Sequence, residues 1–428
     1  MLNSNHLYEL FKKGEYTLSC AEQNLPDEFF ELAVTQLAKR FPRSIATRKS
    51  FNVDGILISG YQIHDKDGVI ESIVIINTST KLKEKSFFKC ALYCLFNQLH
   101  GFDLAHIFGA YINNKFTVDN NEDFFNIDQV NEETLLLLPY AKQAMLDIAD
   151  TEPKAQSQTP TLAEDILPKP FKKELKTFIA NKNSCLLSDL PTYLLSDRQR
   201  IIRQAHLTNT PFLDIDNLYT DLTTLCDLNS DIYMLDFEAA QFVVPTWKDI
   251  TPYSQVAFQY SLHKYSNSVL YQAEYLELIS DPREALAKQL IKDVGTSGAI
   301  LTFNARFERD VIRTLAKTFP ELKGELLAIT DRLVDLHPLF KNYYYHPLQN
   351  GSWSLKALLP AILGENPYQE LDGTSNGTDA ASIYHKVRAG EVNQKKAEKE
   401  LSNYCTLDTY ALYQMLMFIV NAHAAQTH

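Results

Sequence analysis

The run Ile232-Tyr233-Met234-Leu235-Asp236-Phe237-Glu238 decides how the second half of this chain is read. Its aliphatic and aromatic residues suit a strand, and a strand places residues i and i+2 on one face. Asp236 and Glu238 therefore project together, while Tyr233, Leu235 and Phe237 project from the other side. Adjacent anions repel, so a sheet holds such a pair only where water or a cation intervenes. A solvated face on an edge strand meets that condition, and so does a metal site. Acids elsewhere in the chain have to decide.

Downstream, residues 254–263 alternate at Val256, Phe258, Tyr260 and Leu262, and residues 269–276 read as a third strand. A helix over 282–294, a fourth strand over 298–304, a helix over 306–319 and a last helix over 394–420 follow. Three strands, a helix, a strand and further helices imply a mixed α/β sheet. In the helix after the fourth strand, Glu308 shares a face with Val311, Ile312, Leu315 and Phe319, whereas Asp310 falls with Arg313, Thr314 and Lys317. Glu308 is thus expected to point inward, into a site or simply toward the helix dipole. In the last helix Asp408 interrupts the apolar seam Leu401, Tyr404/Cys405, Leu412, Met415, Ile419. Burying an unpaired carboxylate costs on the order of several kcal/mol. A shared cation compensates, as would a hydrogen bond from Tyr404 or a backbone amide. Four acids on three elements suit two divalent cations about 4 Å apart, and an all-oxygen set favours Mg²⁺ or Mn²⁺ over Zn²⁺.

The 428 residues exceed one typical core and imply two or three domains. A net charge of −12 argues against broad coating of nucleic acid, though not against gripping a few nucleotides with metals present. No apolar stretch approaches the ~20 residues that span a bilayer, so no membrane association is expected. The first residues lack a secretory pattern, and six scattered cysteines form no disulfide or zinc framework, which fits the cytoplasm. Residues 1–50 read as helical, notably 27–40. Strands follow at 55–64 and 69–78 around an Asp65–Gly68 turn, then a helix at 85–99, a strand-like piece at 106–116, an acidic loop and a helix near 132–149. Residues 151–170 lose every aromatic and read as a linker; 171–225 look helical and mixed. The expected division is 1–150, a connector over 151–225, and 226–428.

The acids resemble the DEDD superfamily of 3′–5′ exonucleases in its tyrosine variant. Its motifs are met by Leu235-Asp236-Phe237-Glu238, by Asn304-Ala305-Arg306-Phe307-Glu308 and by Tyr404-Cys405-Thr406-Leu407-Asp408. The resemblance implies a ribonuclease H-like fold over roughly 226–425. It makes Asp236, Glu238, Glu308 and Asp408 metal ligands, with Tyr404 orienting the attacking water. The substrate would be the 3′ end of DNA or RNA; Asn304 and Arg306 flank the strand end as nucleotide contacts, and Phe237 and Phe307 read either as core or as aromatics that stack on the terminal base. Glu308 stands where that family has Asp, one methylene longer. Pro252-Tyr253, residues 258–263, Asp281-Pro282-Arg283 and Gly351-Ser352-x-Ser354-Leu355-Lys356 are similar to a bacterial family of unknown function. Its members join such a domain to an N-terminal RecB-like PD-(D/E)XK region. That region is degenerate here: Gln62 falls where the metal-binding Asp belongs, and Ile75-Ile76-Asn77 where Glu-x-Lys belongs. Only Cys185 lies within 151–225, so no iron–sulfur cluster is expected. The N-terminal domain is then expected to clamp substrate, to bind a protein partner, or only to stabilise. The rival reading of the whole is a weak or inactive scaffold that binds nucleic acid. Asp335 reads as a supporting residue, Asp379 as a helix-start acid and His263 as a strand-end residue, while Lys356, after a Ser-rich helix start, reads as a usable phosphate contact or, in preference, as a surface lysine.

Overall fold

Apolar residues that alternate between two faces require cover on both, and both five-stranded sheets of this protein are covered by helices on their two sides. The computed structural model describes residues 25–53, 56–99, 106–149, 195–370 and 377–427. The expectations for residues 1–24, for the linker at 151–170 and for the connector as far as residue 194 lie outside them. The chain forms two units, residues 1–157 with 241–254, and residues 158–240 with 255–428.

In the first unit, α1 (Asp27–Arg40), β1 (Ile45–Val53), β2 (Ile56–His64), β3 (Ile70–Asn77), α2 (Glu84–Leu99), β4 (His106–Ile112), β5 (Phe125–Gln129) and α3 (Asn131–Ala149) follow in order. The sheet runs β1-β2-β3-β4-β5, antiparallel except for the parallel β3–β4 pair that α2 connects. Ile73 and Ile75 pack against α2 and α3, and the intervening Val74 packs with Phe29, Ala33 and Leu37 of α1. Val243, Val244 and Tyr253 of the 241–254 segment join the α1 side. Two expectations need correction. Residues 45–53 form a strand rather than helix, and residues 125–129 a strand rather than loop. Both lie at sheet edges, where pairing with β2 and β4 supplies the backbone partners that local pattern does not reveal.

The second unit contains α4 (Asp197–Thr208), β6 (Phe212–Leu213), α5 (Ile215–Leu225), β7 (Ile232–Gln241), β8 (Gln255–Ser266), β9 (Val269–Leu276), α6 (Arg283–Val294), β10 (Ala299–Thr302), α7 (Arg306–Thr318), α8 (Lys323–Thr330), β11 (Leu333–Asp335), α9 (Leu336–Tyr343), β12 (Tyr344–Tyr345), α10 (Leu355–Leu363), α11 (Gly377–Arg388) and α12 (Gln394–Thr427). Its mixed sheet runs β11-β10-β7-β8-β9, with β10 parallel to both neighbours and β8–β9 antiparallel. On β7, Tyr233, Leu235 and Phe237 face α6 and α7, and Ile232 and Met234 face α5 and α12. Helix α5, expected in a connector, is part of this core through Ile215, Leu218 and Leu222. Among the described residues no helix is long and apolar enough to cross a membrane.

Gly298 precedes β10 with φ +90°, and a Cβ there would collide with the carbonyl oxygen of Asp231. Gly298→Ala is expected to destabilise the protein by roughly 2 kcal/mol or more, read by urea unfolding. A change below about 0.5 kcal/mol would show that the turn relaxes freely.

Candidate active site

Because Asp236 and Glu238 share the Met234 face of β7, both approach α12, whose buried seam runs Ala397, Leu401, Tyr404, Cys405, Asp408, Leu412, Met415. Atoms of Asp236, Glu238 and Asp408 lie within 4.8 Å of one another, close enough to share one ion. Glu238 and Asp408 are 5% and 7% exposed, so their charges have little water to screen them. Glu308 stands outside that triad. It enters from the first turn of α7, is 1% exposed, and its Oε2 has no hydrogen-bond partner among the described residues.

Burial, then the field of Asp408, pushes the Glu238 carboxyl up to about 8. Burial also carries Glu308 to about 8, with Asp335 adding to it. Asp236 is raised well above its ordinary value by burial and then by Asp408, Glu238 and Glu308, so it feels all three other acids. Asp408 rises only to about 6, because hydrogen bonding from Tyr368, the Lys356 ammonium and Tyr404 oppose its burial. A group of buried acids that raise one another's proton affinity stores repulsion that a divalent cation would relieve. All four offer hard oxygen, and the partnerless Glu308 Oε2 is a buried acceptor still open to a ligand. The residues present therefore fit Mg²⁺ or Mn²⁺.

A polar row on β8 sets the register of α12. Gln259, Ser261 and His263 are buried on the face opposite Phe258, Tyr260 and Leu262. Gln259 donates to the Leu401 carbonyl at 3.0 Å, while Ser261 and His263 meet the Thr409 hydroxyl at 2.7 and 2.9 Å. The Cys405 thiol reaches Asp236 Oδ2 at 3.7 Å. His263 thus holds the helix one residue beyond Asp408. The alternation of β8 reveals an inward polar face, but nothing local in sequence pairs it with α12.

Asp335 ends β11 and orders the start of α7. Its carboxylate accepts from the backbone N–H groups of Asn304 at 2.9 Å and Ala305 at 3.1 Å, and from His337 N–H at 3.0 Å. Asn304 has φ +75°, a left-handed position that this clasp holds in place. Asp335→Ala leaves three donors without their acceptor and is expected to cost about 2 kcal/mol in urea unfolding. Wild-type stability in that variant would show that water replaces the clasp.

The expected nucleotide contacts divide. Phe237 is 2% exposed in the core beside Tyr260, so it cannot stack on a base. Phe307 packs half-buried on the same core. Asn304 is exposed at the β10 end, and Arg306 is 88% exposed and near Asp310 at 3.8 Å. One residue lies beyond the sequence reading, and another departs from the reading preferred for it. Tyr368 donates to Asp408 Oδ1 at 2.7 Å from a 3-10 turn over Pro367–Glu370, a segment without helical or strand periodicity. Lys356 is no surface lysine: its Nζ is buried beside the acids without a hydrogen-bond acceptor. Asp379, by contrast, lies in the first turn of α11 as a helix-start acid does.

Neither a curated protein nor a solved structure matches this chain. Residues 233–354 are similar to a family described as a domain of unknown function (DUF2779), a span that holds Asp236, Glu238 and Glu308 and stops short of Lys356, Tyr404 and Asp408.

Proposed function

We propose that the second unit is a metal-dependent phosphodiester hydrolase that removes nucleotides from the 3′ end of nucleic acid. The observation that carries this reading is the convergence of Asp236, Glu238 and Asp408 within 4.8 Å, with Glu308 buried outside that triad and its field acting on Asp236. The mixed five-stranded sheet with helices on both faces supports a ribonuclease H-like fold, and the order of motifs supports the tyrosine-type exonuclease resemblance. Bound Mg²⁺ or Mn²⁺ would polarise the scissile phosphate and lower the pKa of the attacking water. Asp236, Glu238, Glu308 and Asp408 would hold the ions. Burial and the field of Asp408 keep the Tyr404 phenol protonated, so its hydroxyl can orient water at neutral pH. Asn304 and Arg306, both exposed just after β10, would contact the nucleotide.

In the first unit, Gln62 donates to Asn97 Oδ1 at 2.6 Å, and Asn97 donates to the Tyr93 carbonyl at 2.7 Å. This buried amide pair supports reading the first unit as degenerate at that position, because a neutral pair satisfies itself and holds no Mg²⁺. It also favours the second reading, in which nuclease folds serve as docking surfaces for nucleic acid or a protein. Labelled single-stranded DNA and RNA incubated with Mg²⁺ or Mn²⁺ separate the two. Stepwise loss of 3′ mononucleotides by wild type, absent in Asp408→Asn, is expected. No cleavage with either metal, or equal cleavage by both proteins, would reject the hydrolase.

A further inference from the structure

An ammonium taken out of water costs free energy unless acceptors replace the lost hydration. Lys356 breaks that rule among the described residues. Its Nζ is buried with no hydrogen-bond partner, although the fields of Asp408 and Glu238 act on it most strongly among its neighbours. Among the described residues no carboxylate oxygen comes within the 4.0 Å of an ion pair with it. Its near contacts are aromatic: the Tyr404 ring at 4.6 Å and the Tyr368 ring at 5.7 Å from Nζ. These faces attract the cation but leave its three N–H donors unused.

The helix that carries Lys356 adds a second, independent observation. It is the second residue of α10, whose N-cap Ser354 makes no side-chain capping hydrogen bond. Ser354 instead engages Ser352 Oγ, so the positive end of the helix keeps unspent capacity for an anion. An uncapped helix start and a partnerless ammonium converge near Asp408, Glu238 and Asp236, which themselves repel anions. Only a ligand that brings negative oxygens together with cations for the acids satisfies both sides at once. A phosphate group with divalent metal bound to its oxygens does so.

We propose that Lys356 is a substrate-binding residue whose buried, unpaired ammonium, walled by Tyr368 and Tyr404 at the start of α10, takes a phosphate oxygen of the nucleotide at the acid cluster. The inference rests on the hydrolase reading for the identity of the anion, and it adds the group that holds it. Tyr368 and Tyr404 then have two roles each, touching Asp408 through hydroxyls and confining the lysine with their rings.

Calorimetric titration of deoxyadenosine 5′-monophosphate and of inorganic phosphate, with saturating Mn²⁺, tests the assignment on the full chain. Lys356→Met is expected to weaken nucleotide binding about 10-fold or more, the loss of one charge-assisted contact, whereas Lys356→Arg stays within about 3-fold. Mn²⁺ titrated alone should bind Lys356→Met as tightly as wild type or tighter, because a like charge has gone. Should Lys356→Met fail to fold, Lys356→Gln carries the same comparison. Undiminished nucleotide binding without the ammonium overturns the proposal. So does a parallel loss of Mn²⁺ affinity, which would make Lys356 an organiser of the acids. A wild type that binds neither anion also overturns it. If wild type cleaves no phosphodiester yet nucleotide binding still depends on Lys356, the hydrolase reading fails and the phosphate site stands.

Discussion

Asp236→Asn is expected to abolish metal-supported cleavage and, without metal, to make the protein more stable than wild type. The two effects share one cause. Asp236 is the acid that feels Asp408, Glu238 and Glu308 together, so it is the ligand best placed to be shared between ions and the largest source of repulsion without them. An amide of the same shape keeps the packing and removes the charge. The loss of several kcal/mol of transition-state stabilisation corresponds to about 10³-fold or more in rate. The metal-free gain is on the order of 1 kcal/mol, or about 2–4 °C in Tm for a unit of this size. With Mn²⁺ at about 100 times its Kd, wild type gains about 2.7 kcal/mol and the order of the two melting temperatures inverts. Thermal unfolding with and without Mn²⁺, beside the oligonucleotide assay, reads all three effects. A variant less stable without metal, or one that cleaves like wild type, would remove the basis of the shared site.

The metal-free protein is expected to lose stability as pH rises from 5 to 8.5. Glu238 and Glu308 are carried from 4.5 to about 8, so between those values the folded state binds protons that the unfolded chain has released. Stability from these protons is fully present below the unfolded value and is lost as pH passes the folded one. Both side chains are almost fully buried, and the combined effect is on the order of several kcal/mol. Mn²⁺ competes for the same oxygens and must displace the protons. Its affinity should therefore rise with pH through 8, its binding enthalpy at pH 7 should depend on the ionisation heat of the buffer, and its presence should flatten the stability profile. A metal-free stability that is level between pH 5 and 8.5 would show these carboxyls already ionised and the cluster already compensated.

Period and spacing made much of the second unit legible. Alternation on β7 put Asp236 and Glu238 together, and steps of three and four put Glu308 and Asp408 inward on α7 and α12. Those inferences need only the local geometry of one strand or one helix. Edge strands β1 and β5 were not legible, because their hydrogen-bond partners lie elsewhere in the chain. Nor was the fate of Phe237, whose face is fixed by alternation but whose depth is fixed by what packs on it, here Tyr260 and its neighbours.

By itself the sequence determined which side chains share a face and which acids sit among apolar residues, since both follow from backbone periodicity within single elements. Only the tertiary structure decided that three of those acids meet within 4.8 Å while Glu308 stays apart, that Asp335 clasps the start of α7, and that Tyr368 and Lys356 close on Asp408. Contacts between residues 30 to 172 positions apart depend on how helices dock on a sheet, and no local period encodes that distance.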